Sequence, residues 1–238
     1  MSAEAHRLGV LVLATMVSYP VGLALGPPWL LPLLNTIPAY ALMTERLRAG
    51  RRAEAVRAML VWAAALAVFA TTTFALWPRS PDAVVLLGPA YREEMFRFIR
   101  TGEGTEGSWR LFLPQHVVHL AAFAVLCLAT ASAAGITMGA VLMNYMAFYV
   151  SSLARAGVPV WAVVLLGWQP WALCRVAAFA TLGVVLAEPL LVRMGMAPRG
   201  PGRARYVAWA AAGILADWVL KAALAPLWRS WLRALLPG

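Results

Sequence analysis

Three side chains that are charged at neutral pH lie inside hydrophobic stretches of this sequence, where charge is costly and is usually functional. Arg175 lies near the middle of the stretch 159–187, and Asp217 and Lys221 lie one helical turn apart in the stretch 206–225. If the two stretches form neighbouring helices, Arg175 and Asp217 meet at similar depth. We therefore predict a charge cluster near the middle of the membrane. It either fixes helix register as an ion pair or forms a polar site for proton or ion movement.

A second candidate site combines two histidines with two preceding carboxylates. His116 and His119 are three residues apart and share one helical face, and Glu93 and Glu94 lie in the polar segment before them. Two imidazoles and a carboxylate can bind zinc, or a glutamate can activate water beside a histidine. The alternative is that both histidines only form hydrogen bonds to neighbours near the membrane interface.

The same residues resemble the motif of the CAAX-type intramembrane proteases. Glu93 and Glu94 are followed by Arg97, and the segment 112–116 reads Phe-Leu-Pro-Gln-His, which is similar to the Phe-x-x-x-His pattern of that family. The arginine comes one residue earlier than in the family's usual Glu-Glu-x-x-x-Arg spacing. The resemblance implies an intramembrane hydrolase as one alternative function.

Small residues recur at intervals of four, at Ala131, Gly135 and Gly139. This spacing lets helix backbones approach closely, so we predict tight packing of the two hydrophobic stretches that meet here. The alternative is a pore or substrate path lined by the same face. Asn144, in the second of these stretches, needs hydrogen-bonding partners if it is buried.

The elements that position these residues follow from composition and from the length of the apolar stretches. Of 238 residues, 62% are hydrophobic and 13% are charged, and the mean hydropathy is +0.74. Soluble domains are about a quarter charged. Apolar stretches of about 20 residues match the hydrocarbon thickness as helices, which satisfy their own backbone hydrogen bonds in lipid. The sequence therefore predicts an all-α polytopic transmembrane bundle of six or seven helices, forming one membrane domain over 1–238.

The predicted spans differ in how well they fit a membrane. The stretch 29–43 is short and contains two prolines and an asparagine, so it either spans, re-enters the membrane or lies in the interface. The segment 226–236 contains two tryptophans and two arginines and is predicted to be an interfacial tail. The remaining stretches are predicted to span: 8–25, 58–77, 111–133, 136–153, 159–187 and 206–225.

Basic residues predict the orientation of the bundle. They are concentrated in the segments 45–57 and 193–205, which the positive-inside rule places in the cytoplasm. The segment 78–110 has balanced charge and is predicted to be an external loop, with an amphipathic helix at 88–100 and a flexible loop at 102–107. The net charge of +10 thus indicates orientation and contacts with anionic lipid in a bacterial cytoplasmic (inner) membrane, rather than nucleic-acid binding.

The order of features along 88–190 resembles the stage II sporulation protein M superfamily. An amphipathic segment precedes matching positions in similar order and spacing: Leu111-Phe112, the glycine-rich 135–139, Asn144-Tyr145, Pro170 and Gly183. Three positions depart from the family motif, since Trp171 replaces a histidine, Ala172 a glycine and Arg175 a glutamate. The resemblance implies a non-enzymatic membrane component that works with partners.

These patterns predict a non-catalytic polytopic subunit of a larger membrane assembly, with a transport or scaffold role and no cofactor. Its predicted partners are membrane lipid and other membrane subunits or further copies of itself. One alternative is an intramembrane hydrolase that uses the glutamate and histidine set described above. The other is a secondary transporter that uses Arg175, Asp217 and Lys221. A cavity that reaches Asp217 would favour transport.

Overall fold

The computed structural model describes residues 3–77 and 81–237, and the described chain is helical with no β-strand. The all-α prediction is therefore confirmed. The helices are α1 (Ala3–Leu25), α2 (Leu30–Arg48), α3 (Arg52–Leu76), α4 (Gly88–Thr101), α5 (Trp109–Thr130), α6 (Ala133–Arg155), α7 (Val160–Leu166), α8 (Pro170–Arg193) and α9 (Arg203–Leu235).

Six helices in the described part of the chain are long and apolar enough to cross a membrane, namely α1, α3, α5, α6, α8 and α9. Their outward surfaces carry large apolar side chains, as lipid contact requires. The chain is thus an integral membrane protein built as a polytopic helix bundle.

Helix α2 covers the stretch whose membrane placement the sequence left open. Its 19 residues span about 28 Å, and it lies antiparallel to α1 along the full length of that helix. At one end Leu31 packs against Gly22, and at the other end Arg46 pairs with Glu4 at 2.5 Å. Helix α2 is less apolar than its neighbours because polar residues such as Asn35 face the protein. It lies alongside α1 over the same length, but in the described chain it is not one of the helices that are long and apolar enough to cross a membrane.

The two basic segments meet at one end of the bundle, here called the basic end. Arg52, at the start of α3, pairs with Glu188 of α8 and donates to the carbonyl oxygens of Gly200 at 3.1 Å and Pro201 at 2.5 Å. At the opposite end, here called the α4 end, Arg229 of α9 donates to the backbone of α4. This arrangement fits the predicted parity, which places both basic segments on one side.

The stretch predicted as one helix over 159–187 forms two helices. Helix α7 ends at Leu166, Gln169 is extended with φ −67° and ψ 140°, and α8 begins at Pro170. A proline disfavours helical backbone at the residue before it and is well suited to open a helix. Arg175 consequently lies in the second turn of α8, about 8 Å along the axis from its first residue. The prediction that Arg175 lies near the middle of a span is therefore wrong.

The predicted interfacial tail is part of a longer helix. Helix α9 continues through Pro226 and contains 33 residues. Trp228 is buried, and its indole N–H donates to the carbonyl oxygen of Leu166 at 2.8 Å. This bond attaches the last turns of α9 to α7, so the segment packs against protein, while Trp231 stays exposed.

Asn144 joins three helices through a buried polar network. The Tyr19 hydroxyl donates to Asn144 Oδ1 at 2.9 Å, and Asn144 Nδ2 donates to Asn35 Oδ1 at 2.8 Å. Asn35 Nδ2 in turn donates to the Ser18 hydroxyl at 2.6 Å. These bonds give the amide of Asn144 its partners and link α1, α2 and α6.

The small residues do not form one continuous helical face. Ala131 and Ser132 have positive φ values of 47° and 73° and separate α5 from α6. A Cβ at Gly135 would overlap the sulfur atom of Cys127 on α5, so this glycine sets the close approach of the two helices. A Cβ at Gly139, one turn further, would meet no atom within 4 Å. The predicted tight packing therefore occurs at Gly135 and ends before Gly139.

Replacing Gly135 with alanine should lower the stability of the protein by about 1–3 kcal/mol, because the added methyl group overlaps the Cys127 sulfur. We expect a lower midpoint of thermal unfolding for the variant purified in detergent. Gly139→Ala is the matched control and should leave the midpoint unchanged. The double variant with Cys127→Ala should recover most of the loss. Equal losses from both glycine variants would contradict this account.

Candidate functional site

Five ionisable side chains meet between the helices, and we call them the charge cluster. They come from three helices and from a short 3-10 turn, Thr105–Gly107, that precedes α5. Helix α9 supplies two members, and α8, α5 and the turn supply one each. The members are Asp217, Lys221, Arg175, His116 and Glu106.

His116 stands between the acidic and basic members of the charge cluster. Its Nδ1 atom lies 3.2 Å from Asp217 Oδ2, while its Nε2 atom lies 2.6 Å from Arg175 Nη1 and 3.4 Å from Lys221 Nζ. Arginine and protonated lysine can only donate, so Nε2 must accept and the ring proton is assigned to Nδ1. The geometry therefore fits a neutral imidazole in contact with both cations.

Lys221 is balanced by a residue that the sequence analysis did not select. It is fully buried, and its ammonium group donates to Glu106 Oε1 at 2.8 Å and lies 4.6 Å from the centre of the Phe112 ring. Glu106 lies in a glycine-rich segment that we predicted to be a flexible loop, and the structure instead places it in the ordered turn. The sequence offered one sign of this pairing. Glu106 lies shortly before the predicted span 111–133, and Lys221 had no predicted acidic partner of its own.

Arg175 and Asp217 meet across α8 and α9. The distance between Arg175 Nη1 and Asp217 Oδ2 is 3.8 Å. The Asp217 side chain is 1% exposed, and its Oδ1 atom has no hydrogen-bond partner among the described residues. The Arg175 side chain keeps 22% of its surface exposed. Within the described chain, only its Nη1 atom makes a polar contact, so the rest of the guanidinium is free to donate to a ligand.

A cavity of about 100 Å³ opens beside the charge cluster. Its polar part contains Glu106, His116, Arg175 and Asp217, together with His119. The apolar part extends from these residues toward the basic end, where it is lined by Met59, Trp62, Phe123, Ile136, Met143, Phe179 and Gly183. The site thus combines a charged end with an apolar wall inside the membrane bundle.

The phenol of Tyr91 belongs to the polar part of the cavity wall. Burial raises the pKa of this group well above its ordinary value, so it stays neutral and can donate a hydrogen bond. The Tyr91 ring lies 4.5 Å from the ring of Tyr145, a second lining residue. Helix α4, predicted as an amphipathic external helix, therefore also forms part of the cavity wall.

The cavity reaches the gap between α5 and α6. The two helices touch at Gly135 and separate from there toward the α4 end, and Gly139 lies in the gap with open space beside it. The lining residues His119 and Leu120 of α5 and Leu142 of α6 are half-buried. A ligand in the cavity can therefore extend between these helices toward the lipid.

The predicted glutamate and histidine set is not assembled around one point. Glu94 accepts a hydrogen bond from the Thr105 hydroxyl, and Glu93 lines a separate surface depression. Neither glutamate lines the cavity that contains His116 and His119. The carboxylates nearest His116 come from the charge cluster instead. Among residues 3–77 and 81–237, no group of three His, Cys, Asp or Glu side chains could hold a metal ion.

The chemistry of the site is therefore that of a charged pocket with an apolar wall. Its cations and carboxylates are positioned by α5, α8, α9 and the turn before α5, and its wall comes from α3, α5, α6 and α8. Among known proteins, no family model, no curated protein and no solved structure matches this chain.

Proposed function

We propose that this protein is a non-catalytic membrane carrier that binds an amphipathic acid. The acidic head group lies beside Arg175, and the apolar chain follows the cavity wall. The observation that supports this proposal is a single cavity that joins Arg175 and Asp217 to an apolar wall inside a membrane bundle. A cavity that reaches Asp217 favours transport over a purely structural ion pair.

The preference for an acid follows from which of the two cations, Lys221 or Arg175, is available to a ligand. Lys221 is fully buried and bound to Glu106, so it is not available to a ligand. Arg175 faces the cavity with free N–H groups, and a guanidinium binds carboxylate, sulfonate and phosphate oxygens in paired hydrogen bonds. Arg175 is therefore the group that selects an anionic head.

The preference for an amphipathic molecule comes from the wall and the volume. Phe123 and Phe179 stack at 4.7 Å in the apolar part, which offers no polar partner to a second charged group. Cavities of about 150 Å³ in other proteins hold one benzene molecule, so a cavity of about 100 Å³ holds a small head group such as a sulfonate. The apolar chain extends through the gap at Gly139 into the lipid.

A carrier fits this site better than a hydrolase. No serine, threonine or cysteine side chain is among the described residues that line the cavity, so it offers none of the usual hydroxyl or thiol nucleophiles. The two buried carboxylates are engaged with cations. The arrangement instead suits reversible exchange of one anionic partner of Arg175 for another.

The cellular setting is proposed from sequence features. The basic segments 45–57 and 193–205 support a bacterial cytoplasmic membrane with both segments inside. A relationship to the stage II sporulation protein M superfamily stays a proposal that rests on the order of features along 88–190. The same holds for the expectation that other membrane subunits or further copies of the chain accompany this protein.

The proposal is tested by equilibrium binding of two probes that differ only in their head group. Tritiated N-dodecanoyltaurine carries a sulfonate, and N-dodecanoylethanolamine carries an uncharged hydroxyl. We expect the delipidated protein to bind the sulfonate at least tenfold more tightly, and Arg175→Gln to remove this difference, because a charge-assisted hydrogen bond contributes about 1.5–3 kcal/mol.

A second variant tests the apolar part of the same site. Gly139→Leu places a side chain in open space beside the cavity, so it should weaken binding of both probes without lowering the midpoint of thermal unfolding. Leu128→Ala, at an exposed position on α5 away from the lining, is the control. Equal affinity for the two head groups in the native protein would refute the proposed function.

A further inference from the structure

A surface depression, separate from the cavity beside the charge cluster, lies at the α4 end of the bundle. It has a volume of about 620 Å³ and is open to the surface. Four arginines and one glutamate contribute its charged lining, from α4 and from the last turn of α6. We call it the arginine depression: Arg92, Arg97, Arg100, Arg155 and Glu93.

The arginine depression carries uncompensated positive charge. Arg92 pairs with Asp82 at 3.1 Å, and Glu93 is the one carboxylate in the described lining. The described lining therefore holds four guanidinium groups and one carboxylate, and Asp82 balances Arg92 from outside it. Arg97 and Arg100 are exposed, and within the described ranges neither forms an ion pair. These two side chains are the ones available to an incoming anion.

One arginine is held in place without losing its charge. Arg155 ends α6 and donates to the carbonyl oxygen of Phe74 at 2.6 Å and to that of Trp77 at 2.8 Å. These bonds fix the guanidinium against the end of α3, and carbonyl groups do not neutralise it. A fixed guanidinium group beside two exposed ones can hold a multivalent oxyanion through several charge-assisted hydrogen bonds.

The arginine depression lies where two membrane-spanning helices end, which is the level of the lipid head groups. Helices α3 and α6 both cross the membrane and both end here, and α4 packs across the end of α6. On this side of the bundle the positive-inside rule disfavours clustered basic residues. The orientation of the bundle therefore does not account for their clustering in one depression, and binding of an anionic ligand does.

We propose that the arginine depression binds a phosphate group, either in the head group of an anionic phospholipid or as free phosphate. Guanidinium groups match tetrahedral phosphate oxygens with paired, charge-assisted hydrogen bonds. This site is independent of the proposed carrier function, because it shares no lining residue with the cavity beside the charge cluster.

The test measures binding of dioctanoyl phosphatidylglycerol, inorganic phosphate and uncharged dioctanoylglycerol to the full chain in a non-ionic detergent by calorimetry. We expect salt-sensitive binding of the phosphate-bearing probes and none of dioctanoylglycerol. The double variant R97Q/R100Q should bind about thirtyfold more weakly, given the usual contribution of a basic side chain near an anionic group. Both residues are exposed, so the fold should be retained, which the midpoint of thermal unfolding checks.

Two further variants make the result specific to this depression. Glu93→Gln removes the negative charge from the lining and should strengthen binding. R199Q/R203Q changes two exposed arginines at the basic end and should leave affinity unchanged. Tight binding of phosphatidylglycerol but not phosphate identifies a lipid site, and equal binding of both identifies a site for the free ion. Equal affinity of the native protein and R97Q/R100Q for both phosphate-bearing probes would overturn the proposal.

Discussion

Replacing Glu106 with glutamine should lower the free energy of unfolding by about 3–5 kcal/mol, because it leaves a buried ammonium group without its ionic partner. Lys221 has no exposed surface, and Glu106 Oε1 lies 2.8 Å from its nitrogen atom. The amide of glutamine can accept one hydrogen bond but carries no charge. The midpoint and the denaturant dependence of unfolding in detergent micelles measure the loss.

The control for this substitution lies three residues away, just before the turn. Glu103 is exposed, so Glu103→Gln should change the free energy of unfolding by less than about 0.5 kcal/mol. Lys221→Met combined with Glu106→Gln should recover most of the stability, since an apolar side chain of similar length needs no partner. Equal effects of the two glutamine substitutions would show that Glu106 is not the partner that stabilises Lys221.

Much of the fold follows from the sequence because lipid imposes a simple length rule. Apolar stretches long enough to cross the hydrocarbon must be helical, which is why each of the six candidate spans in the described chain overlaps a predicted stretch. Arg175 and Asp217 lie in consecutive spans joined by a short segment. Antiparallel neighbours were therefore expected, and the structure has these residues 3.8 Å apart.

Helix ends were harder to predict than helix existence. The break at Gln169 and the continuation of α9 through Pro226 both involve a proline in an apolar stretch. A proline can begin a helix or be accepted within one, and hydropathy does not distinguish the two outcomes. The difference moved Arg175 from the middle of a predicted span to the second turn of α8.

The remainder of the site could not be predicted because it depends on tertiary packing. Glu106 is 115 residues from Lys221 along the chain, and a glycine-rich segment gives no local sign that one of its carboxylates is buried. The sequence does not predict the apolar wall of the cavity either, because Phe123 and Phe179 lie in apolar stretches in which any residue could face lipid. Only the arrangement of α5, α6 and α8 turns them toward the same space.

Replacing Asp217 with asparagine should tighten ligand binding and abolish transport. Asp217 is the carboxylate that balances Arg175, and its Oδ2 atom lies 3.8 Å from Arg175 Nη1. An incoming acid must compete with it, which weakens binding but also allows release. Without this competition the ligand becomes the sole anionic partner of Arg175 in a low-dielectric site. We expect N-dodecanoyltaurine to bind at least tenfold more tightly, equivalent to about 1.4 kcal/mol.

Transport is measured with N-acyltaurine labelled on its chain with a nitrobenzoxadiazole dye, in vesicles that contain the reconstituted protein. Externally added dithionite destroys the dye in the outer leaflet, so loss of the inner-leaflet signal reports movement across the membrane. The sulfonate stays ionised and cannot cross as a neutral acid. The native protein should accelerate the loss, and Asp217→Asn should return it to the rate of protein-free vesicles.

The variant Asp217→Glu tests whether Asp217 acts as the counter-ion of Arg175 or has only a structural role. Asp217→Glu keeps the negative charge beside Arg175, so it should bind the probe with near-native affinity and recover part of the transport rate. A structural role would instead make Asp217→Asn lose binding and transport together. That joint loss would rule out the exchange of anionic partners. Exchange requires that removing the Asp217 carboxylate raises the affinity for the probe and lowers the transport rate.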